Sequence, residues 1–359
     1  MKTIHDTVGI GGVALKNRII RSATFERPMD PEGRFASTLI PIYEALAAGG
    51  VGAIITGMVG VDENSRVAPS MILACQGTFV SELGKVADRV HALGCKLVVQ
   101  LVHCGQKASP DNGGRPLGPS ENEIRPGETA RAMSWENISA VVAAYAEAAR
   151  RCKEAGADAV QMHCAHGYLV SQFLSPYFNK RTDEFGGDIA GRAHVAFLVY
   201  EAIRQAVGGD FSIWAKINCT DLTEPSLTPE ESRWVCKELA TRGLDAVELS
   251  GGVSVNAKSS SAQVIKDESE EGCFTREALA LAEAVAIPVI SVCGYRTPTV
   301  IEDRLNQGNI AAISMSRPLI CEPGLVNRWA DGDAAKARCI SCNKCFRPKN
   351  GFGCQAFHN

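Results

Sequence analysis

No apolar run in this chain approaches the ~20 residues needed to cross a bilayer. The start, MKTIHDTVGIGGVALKNR, lacks the continuous apolar core and small-residue cleavage site of a secretory signal. The expectation is a cytoplasmic protein with no membrane partner. A basic excess is also missing: 37 Lys and Arg stand against 40 Asp and Glu, for a formal net charge of −3. That balance gives no reason to expect nucleic acid or an anionic surface as partner. Low-complexity tracts are not evident, nor are repeats beyond a strand–helix alternation. No GxGxxG follows the first strand, which weighs against a dinucleotide-binding open sheet.

Cysteine, in contrast, is plentiful. Ten of the 14 are scattered singly through apolar segments, Cys75, Cys95, Cys164, Cys219 and Cys293 among them. In a reducing compartment such isolated thiols are expected as small core residues. The other four form CISCNKCFRPKNGFGC, with the spacing Cys339-x2-Cys342-x2-Cys345-x8-Cys354. Hydrophobic residues at 45% and charged ones at 21% are ordinary for an enzyme. A length of 359 residues suits an α/β barrel as one domain.

Short apolar or β-branched runs recur at 17–24, 52–58, 96–103, 159–165, 212–219, 246–252, 288–294 and 311–317. Continuous rather than alternating apolar runs suit parallel strands covered on both faces. Helical patterns lie between them, including 138–156 and 192–208. The first is expected to start behind Asn137 as N-cap and to end at Gly156. Eight strand–helix units predict an α/β fold, a (β/α)8 TIM barrel over 1–335 with a short cysteine-rich C-terminal tail over 336–359. The longest loop candidates, 104–137 and 251–275, follow strand C-termini, where barrel active sites assemble.

Polar residues at those ends are the candidates for chemistry. The third strand ends in Gln100 and His103, and the fourth in HCAHGY, giving His163, His166 and Tyr168. The histidines can be read as hydrogen-bonded core residues or as a substrate-binding pair, and less readily as metal ligands. No Asp or Glu accompanies them as in metallohydrolase motifs. Lys216 lies inside the fifth apolar run, and an internal lysine there needs a partner. CGYRTP and SMSRPL, after strands seven and eight, put Gly294, Ser316 and Arg317 where barrels commonly bind phosphate.

With those residues in view, the chain resembles the old yellow enzyme family of FMN-dependent ene-reductases and NADH:flavin oxidoreductases. LKNRIIRSAT, VVQLVHCGQ, HCAHGYLVSQFLSPYFNKRTDEFGG and ISMSRPL match family segments in order. The His-x-x-His-Gly-Tyr form and the clustered cysteines are similar to the barrel domain of 2,4-dienoyl-CoA reductase and trimethylamine dehydrogenase. The resemblance implies FMN across the barrel's C-terminal mouth, lined by Ser22, Ala23 and Thr24, with Met58 near the ring. It puts Gln100 on the pyrimidine edge, Lys216 near N1 and O2, and Gly294, Ser316 and Arg317 around the phosphate. NAD(P)H would reduce the FMN. An activated alkene (enone, enal, nitroalkene or dienoyl thioester) would then receive hydride from flavin N5 and a proton from Tyr168, with its oxygen held by His163 and His166. One departure stands out: Phe25 occupies the position where the family usually has a flavin-tuning Thr or Cys.

The tail spacing is compatible with a [4Fe–4S] cluster or with Zn²⁺ on Cys339, Cys342, Cys345 and Cys354, and equally with a reduced, metal-free tail. The similar relatives carry further domains after the cluster, so a cluster here is expected to serve an external electron-transfer partner or to staple the terminus. A homo-oligomer is the expected assembly. Two rival readings remain open. One is a non-flavin, metal-dependent barrel enzyme. The other is a redox- or metal-sensing protein built around the cysteine tail.

Overall fold

The computed structural model describes residues 1–109, 114–346 and 351–357. Eight parallel strands close into a ring: β1 (Ile19–Arg21), β2 (Ala53–Ile55), β3 (Lys96–Val102), β4 (Ala159–Cys164), β5 (Ser212–Asn218), β6 (Ala246–Ser250), β7 (Val289–Val292) and β8 (Ile310–Met315). β8 pairs with β1, and the β3–β4 pairing completes the closure. Each of the eight apolar runs supplies one strand, and their near-continuous burial is that of a parallel sheet with side chains packed on both faces.

Helices α1 (Ala36–Ala48), α2 (Phe79–His91), α3 (Trp135–Glu154), α4 (Leu169–Leu174), α5 (Ile189–Val207), α6 (Pro229–Thr241), α7 (Thr275–Ala284), α8 (Pro298–Asn306), α9 (Arg317–Cys321) and α10 (Leu325–Ala330) occupy the crossovers and the end of the barrel. The start of α3 corrects the expected cap. Ser134, not Asn137, is the N-cap, and Asn137 sits three residues inside as its capping-box partner. Gly156 does follow the helix at φ +85°, a conformation that costs glycine little.

The barrel has a filled floor and an open mouth. A hairpin of Val8–Ile10 and Val13–Leu15 covers the floor. There Ile10, Val13 and Leu15 join Ile20, Val98, Trp214 and Ile290 in one apolar cluster. Alternation along β5 then places Trp214 in the floor and Lys216 and Asn218 on the same inward side, toward the mouth. The loop candidate at 104–137 carries short strand pairs, Leu117–Gly118 with Arg131–Ala132 and Glu123–Arg125 with Glu128–Thr129, while its residues 110–113 lie outside the described residues. None of the helices is long and apolar enough to cross a membrane, among the described residues.

Two expectations for the isolated cysteines change. Cys75 is exposed, and Cys293 forms a disulfide with Cys273, with Cα atoms 5.7 Å apart. Chain-distant cysteines met only because the β6–α7 loop folds back onto the end of β7, which single-residue spacing does not reveal. Cys95, Cys164 and Cys219 are buried, as expected.

Candidate active site

The mouth holds a cavity of about 690 Å³, within the range of small-molecule and cofactor sites. All twelve of the residues to which the family resemblance gives a role line it: Ser22, Ala23, Thr24, Met58, Gln100, His163, His166, Tyr168, Lys216, Gly294, Ser316 and Arg317. They come from seven of the eight strands and the loops after them, so only ring closure could bring them together.

The deepest wall is a polar layer in the barrel interior. Lys216 Nζ lies 2.9 Å from Ser22 Oγ and 3.2 Å from Glu248 Oε1. Glu248 is fully buried on β6 and also accepts from Ser22 Oγ at 2.7 Å and Gln161 Nε2 at 2.9 Å. Gln161 Oε1 in turn accepts from Gln100 Nε2 at 2.8 Å. Burial pushes the Glu248 carboxyl up. The Lys216 cation and the donors Ser314, Ser22 and Gln161 outweigh that and hold it below the usual carboxylate range. The partner that Lys216 requires is therefore Glu248.

A second wall carries the histidines and the tyrosine. The rings of His163 and His166 are edge to face at 5.1 Å, and His163 and Tyr168 at 4.8 Å. His166 adopts φ +62° and its Nε2 lies 2.8 Å from Ser250 Oγ, while the buried Nδ1 of His163 has no hydrogen-bond partner among the described residues. Burial, then nearby cations including Lys216 and Lys107, holds both imidazoles well below their ordinary pKa, so both are neutral at pH 7. Burial, aided by Cys104, raises Tyr168 above the ordinary tyrosine range, so it keeps its proton. Lys107 sits 5.3 Å over the Tyr168 ring and donates to the carbonyls of His166 and Val253 at 2.6 and 2.7 Å. Burial lowers it to about 8. His103 stays out of the cavity; its Nδ1 accepts the Gly105 N–H at 3.0 Å. Among the described residues no group of three or more His, Cys, Asp or Glu is placed to hold a metal.

The opposite end is built from loops. Gly294 has φ +78°, and an added Cβ would fall 2.5 Å from Ile265, so a close backbone approach is required there. Thr24 Oγ1 and Ser316 Oγ are 2.6 Å apart, and Arg317 Nη1 donates to Asn343 Oδ1 at 2.7 Å. Phe25 lines the cavity with Arg27 5.2 Å over its ring, and the Thr24 hydroxyl is already engaged with Ser316 and Ser22. Arg296 joins this end, as do Ser341, Cys345, Phe346, Gly351 and Phe352 from the tail.

Residues 4–335 match the family described as NADH:flavin oxidoreductase / NADH oxidase. The chain belongs to that family. It is 34% identical over 347 residues to a metal reductase of Desulforamulus reducens, covering 96% of this chain and 51% of that protein. It is 29% identical to the 4,4'-dithiodibutanoate disulfide reductase of Rhodococcus erythropolis, covering 96% of this chain and 92% of that one. The structure of a 2-naphthoyl-CoA reductase in complex with 2-naphthoyl-CoA superposes with a TM-score of 0.87 at 25% identity, over 96% of this chain and 54% of that chain. The chain thus spans about half the length of the metal reductase and of the naphthoyl-CoA reductase chain.

The family's cofactor fits what is present. The cavity is large enough, its walls offer a cation, hydroxyls and a glycine cradle, and one buried imidazole nitrogen awaits a partner. In the cysteine tail, Cys339, Cys342, Cys345 and Cys354 line one small cavity of about 20 Å³. Residues 347–350, within the long gap of the motif, and 358–359 lie outside the described residues. Cys321 adds a fifth thiol here: burial, then the hydrogen bond its S–H donates to Cys354, pushes it up to about 12.

Sequence reasoning missed Glu248, Gln161, Lys107 and Arg296. Glu248 was within reach. A carboxylate inside the apolar run AVELS raises the same question as the lysine inside SIWAKIN. Gln161 and Lys107 needed ring closure to acquire a meaning.

Proposed function

We propose that this chain is an FMN-dependent oxidoreductase that takes reducing equivalents from NAD(P)H and reduces the C=C bond of a small activated alkene. The observation that carries this reading is the single cavity in which Lys216, Gln100 and the Gly294–Ser316–Arg317 end face the same space as His163, His166 and Tyr168. FMN bound there supplies hydride chemistry. Ser22, Ala23, Thr24 and Met58 would line it, Gln100 and Lys216 would meet its pyrimidine edge, and Gly294, Ser316 and Arg317 would hold its phosphate.

The protein's own contribution is positioning and proton control. The neutral histidines offer N–H donors to an electron-withdrawing oxygen without bringing charge of their own, so their interaction grows as negative charge develops on that oxygen. Tyr168 keeps its proton at neutral pH and packs against His163, within reach of a substrate held by the pair. That suits a general acid delivering to the α-carbon. A thioester is among the substrates that fit, because its carbonyl oxygen suits the same cradle. No step is assigned to the cysteine tail. Iron, acid-labile sulfide and zinc assays on anaerobically purified protein decide between a cluster, zinc and free thiols.

The test separates the two halves of the reaction on Tyr168→Phe. Bleaching of the flavin by NADH or NADPH should proceed as in wild type. Reoxidation by a panel of enones and dienoyl thioesters should slow roughly 10²–10⁴-fold. Unchanged reoxidation would remove Tyr168 as the acid, and absence of turnover on the whole panel would remove the alkene reading.

A further inference from the structure

Glu248 lies behind the cavity and does not line it, yet its hydrogen bonds decide how the lining residues face. It stands in register with Lys216 across the β5–β6 pair, and Lys216 stands in register with His163 across β4–β5. An ionised carboxylate only accepts hydrogen bonds. Gln161 must therefore turn its NH2 toward Glu248 Oε2, at 2.9 Å, which turns its carbonyl toward Gln100. Gln100 must then spend its NH2 on Gln161, at 2.8 Å, which leaves its Oε1 as an acceptor for the cavity. Ser22 is oriented by the same carboxylate. Its O–H donates to Glu248 at 2.7 Å, so its lone pair receives Lys216 Nζ at 2.9 Å.

Lys216 has three N–H donors. One is donated to Ser22, and the ammonium is ion-paired with Glu248 at 3.2 Å, which leaves N–H donor capacity for the cavity. The cavity floor thus presents one acceptor and one cationic donor, both set by a residue that never reaches the cavity. A cyclic imide edge, with its ring N–H beside a carbonyl oxygen, complements that pair. The flavin pyrimidine ring has such an edge.

We propose that Glu248 is a positioning residue that orients Gln100 and Lys216 toward the pyrimidine edge of FMN and, as the counter-ion of Lys216, holds down the reduction potential of the bound flavin. This rests on the FMN reading above. Reduced flavin carries negative charge at N1, next to the site of Lys216, and a bare cation there would favour the reduced form strongly. The Glu248 charge subtracts from that attraction while keeping the ammonium in place. Burial makes the effect strong, because few water dipoles screen it.

The test measures the midpoint potential and the FMN affinity of the holoenzyme in wild type, Glu248→Gln, Glu248→Asp and Gln161→Met. Glu248→Gln should favour reduced over oxidised flavin about tenfold more than wild type does, which is ~30 mV upward for a two-electron couple. Glu248→Asp keeps the charge and should lie near wild type. Gln161→Met breaks the amide relay without changing charge. It should weaken oxidised FMN about fivefold at an unchanged potential. An unmoved potential in Glu248→Gln, or a Glu248→Asp that shifts as far, overturns the counter-ion role. Should Glu248→Gln fail to fold, unchanged FMN affinity in Gln161→Met still overturns the orienting role. Wild-type protein that binds no flavin would fail the FMN reading first and take this proposal with it. Wild type that binds FMN alongside indifferent variants fails this proposal alone.

Discussion

The two ends of the mouth cavity are built by different means. At the floor, Lys216, Glu248, Gln161 and Gln100 sit on adjacent strands, and register fixes which atoms meet. At the far end, Gly294, Ser316 and Arg317 lie at strand ends and loops, and the tail closes over them: Arg317 is tied to Asn343, whose amide reaches the Ala262 carbonyl at 3.1 Å. A strand-built wall holds its polar atoms to a few tenths of an ångström, whereas loop-built walls adjust to what they bind. Chemistry that depends on orientation belongs on the first, and retention of a charged group belongs on the second.

The histidine wall offers the strongest test of that division. Replacing His163 and His166 together by alanine removes two buried donors, each worth ~1–3 kcal/mol when its partner is stranded. Binding of a phenol to the oxidised holoenzyme should weaken by roughly 30-fold or more. An unchanged affinity would mean that the pair does not hold the substrate oxygen. A smaller effect is expected at the loop-built end. Arg317→Ala removes a charge-assisted contact and should weaken FMN about tenfold while leaving riboflavin, which lacks the phosphate, unaffected. Equal losses for both flavins would break the comparison by placing Arg317 at the ring.

The smallest effect is in pH. Both imidazoles have folded pKa values held below the ordinary 6.5 by burial. A base depressed in the folded state contributes stability above its unfolded pKa and loses it as pH falls through that value. Phenol affinity should therefore be flat above pH 6.5, and the melting temperature should decline below it. A phenol affinity that titrates between pH 7 and 8 would instead implicate Lys107.

Much of the barrel was legible because parallel strands buried on both faces leave continuous apolar runs, and all eight runs became strands. The strand ends then marked Gln100, His163, His166, Tyr168 and Lys216 as candidates, and ring closure brought them to one cavity. Their individual roles came only with the family resemblance, since spacing alone left the histidines open. What stayed hidden was relational. Gln161 looks like any polar residue until Gln100 and Glu248 flank it across two strand pairs. The Cys273–Cys293 disulfide required the loop after β6 to fold onto β7. The N-cap of α3 was misplaced by three residues because Ser134 and Asn137 share one capping box, and either can read as the start.

The central claim is that the mouth cavity is an FMN site, and it is tested most directly by the flavin released when the purified protein is denatured. The account predicts a yellow protein that yields about one FMN per chain, and a Lys216→Met, Arg317→Ala double variant that yields little under the same purification. A colourless wild-type protein that takes up no FMN on titration, with stoichiometric zinc bound instead, would contradict it.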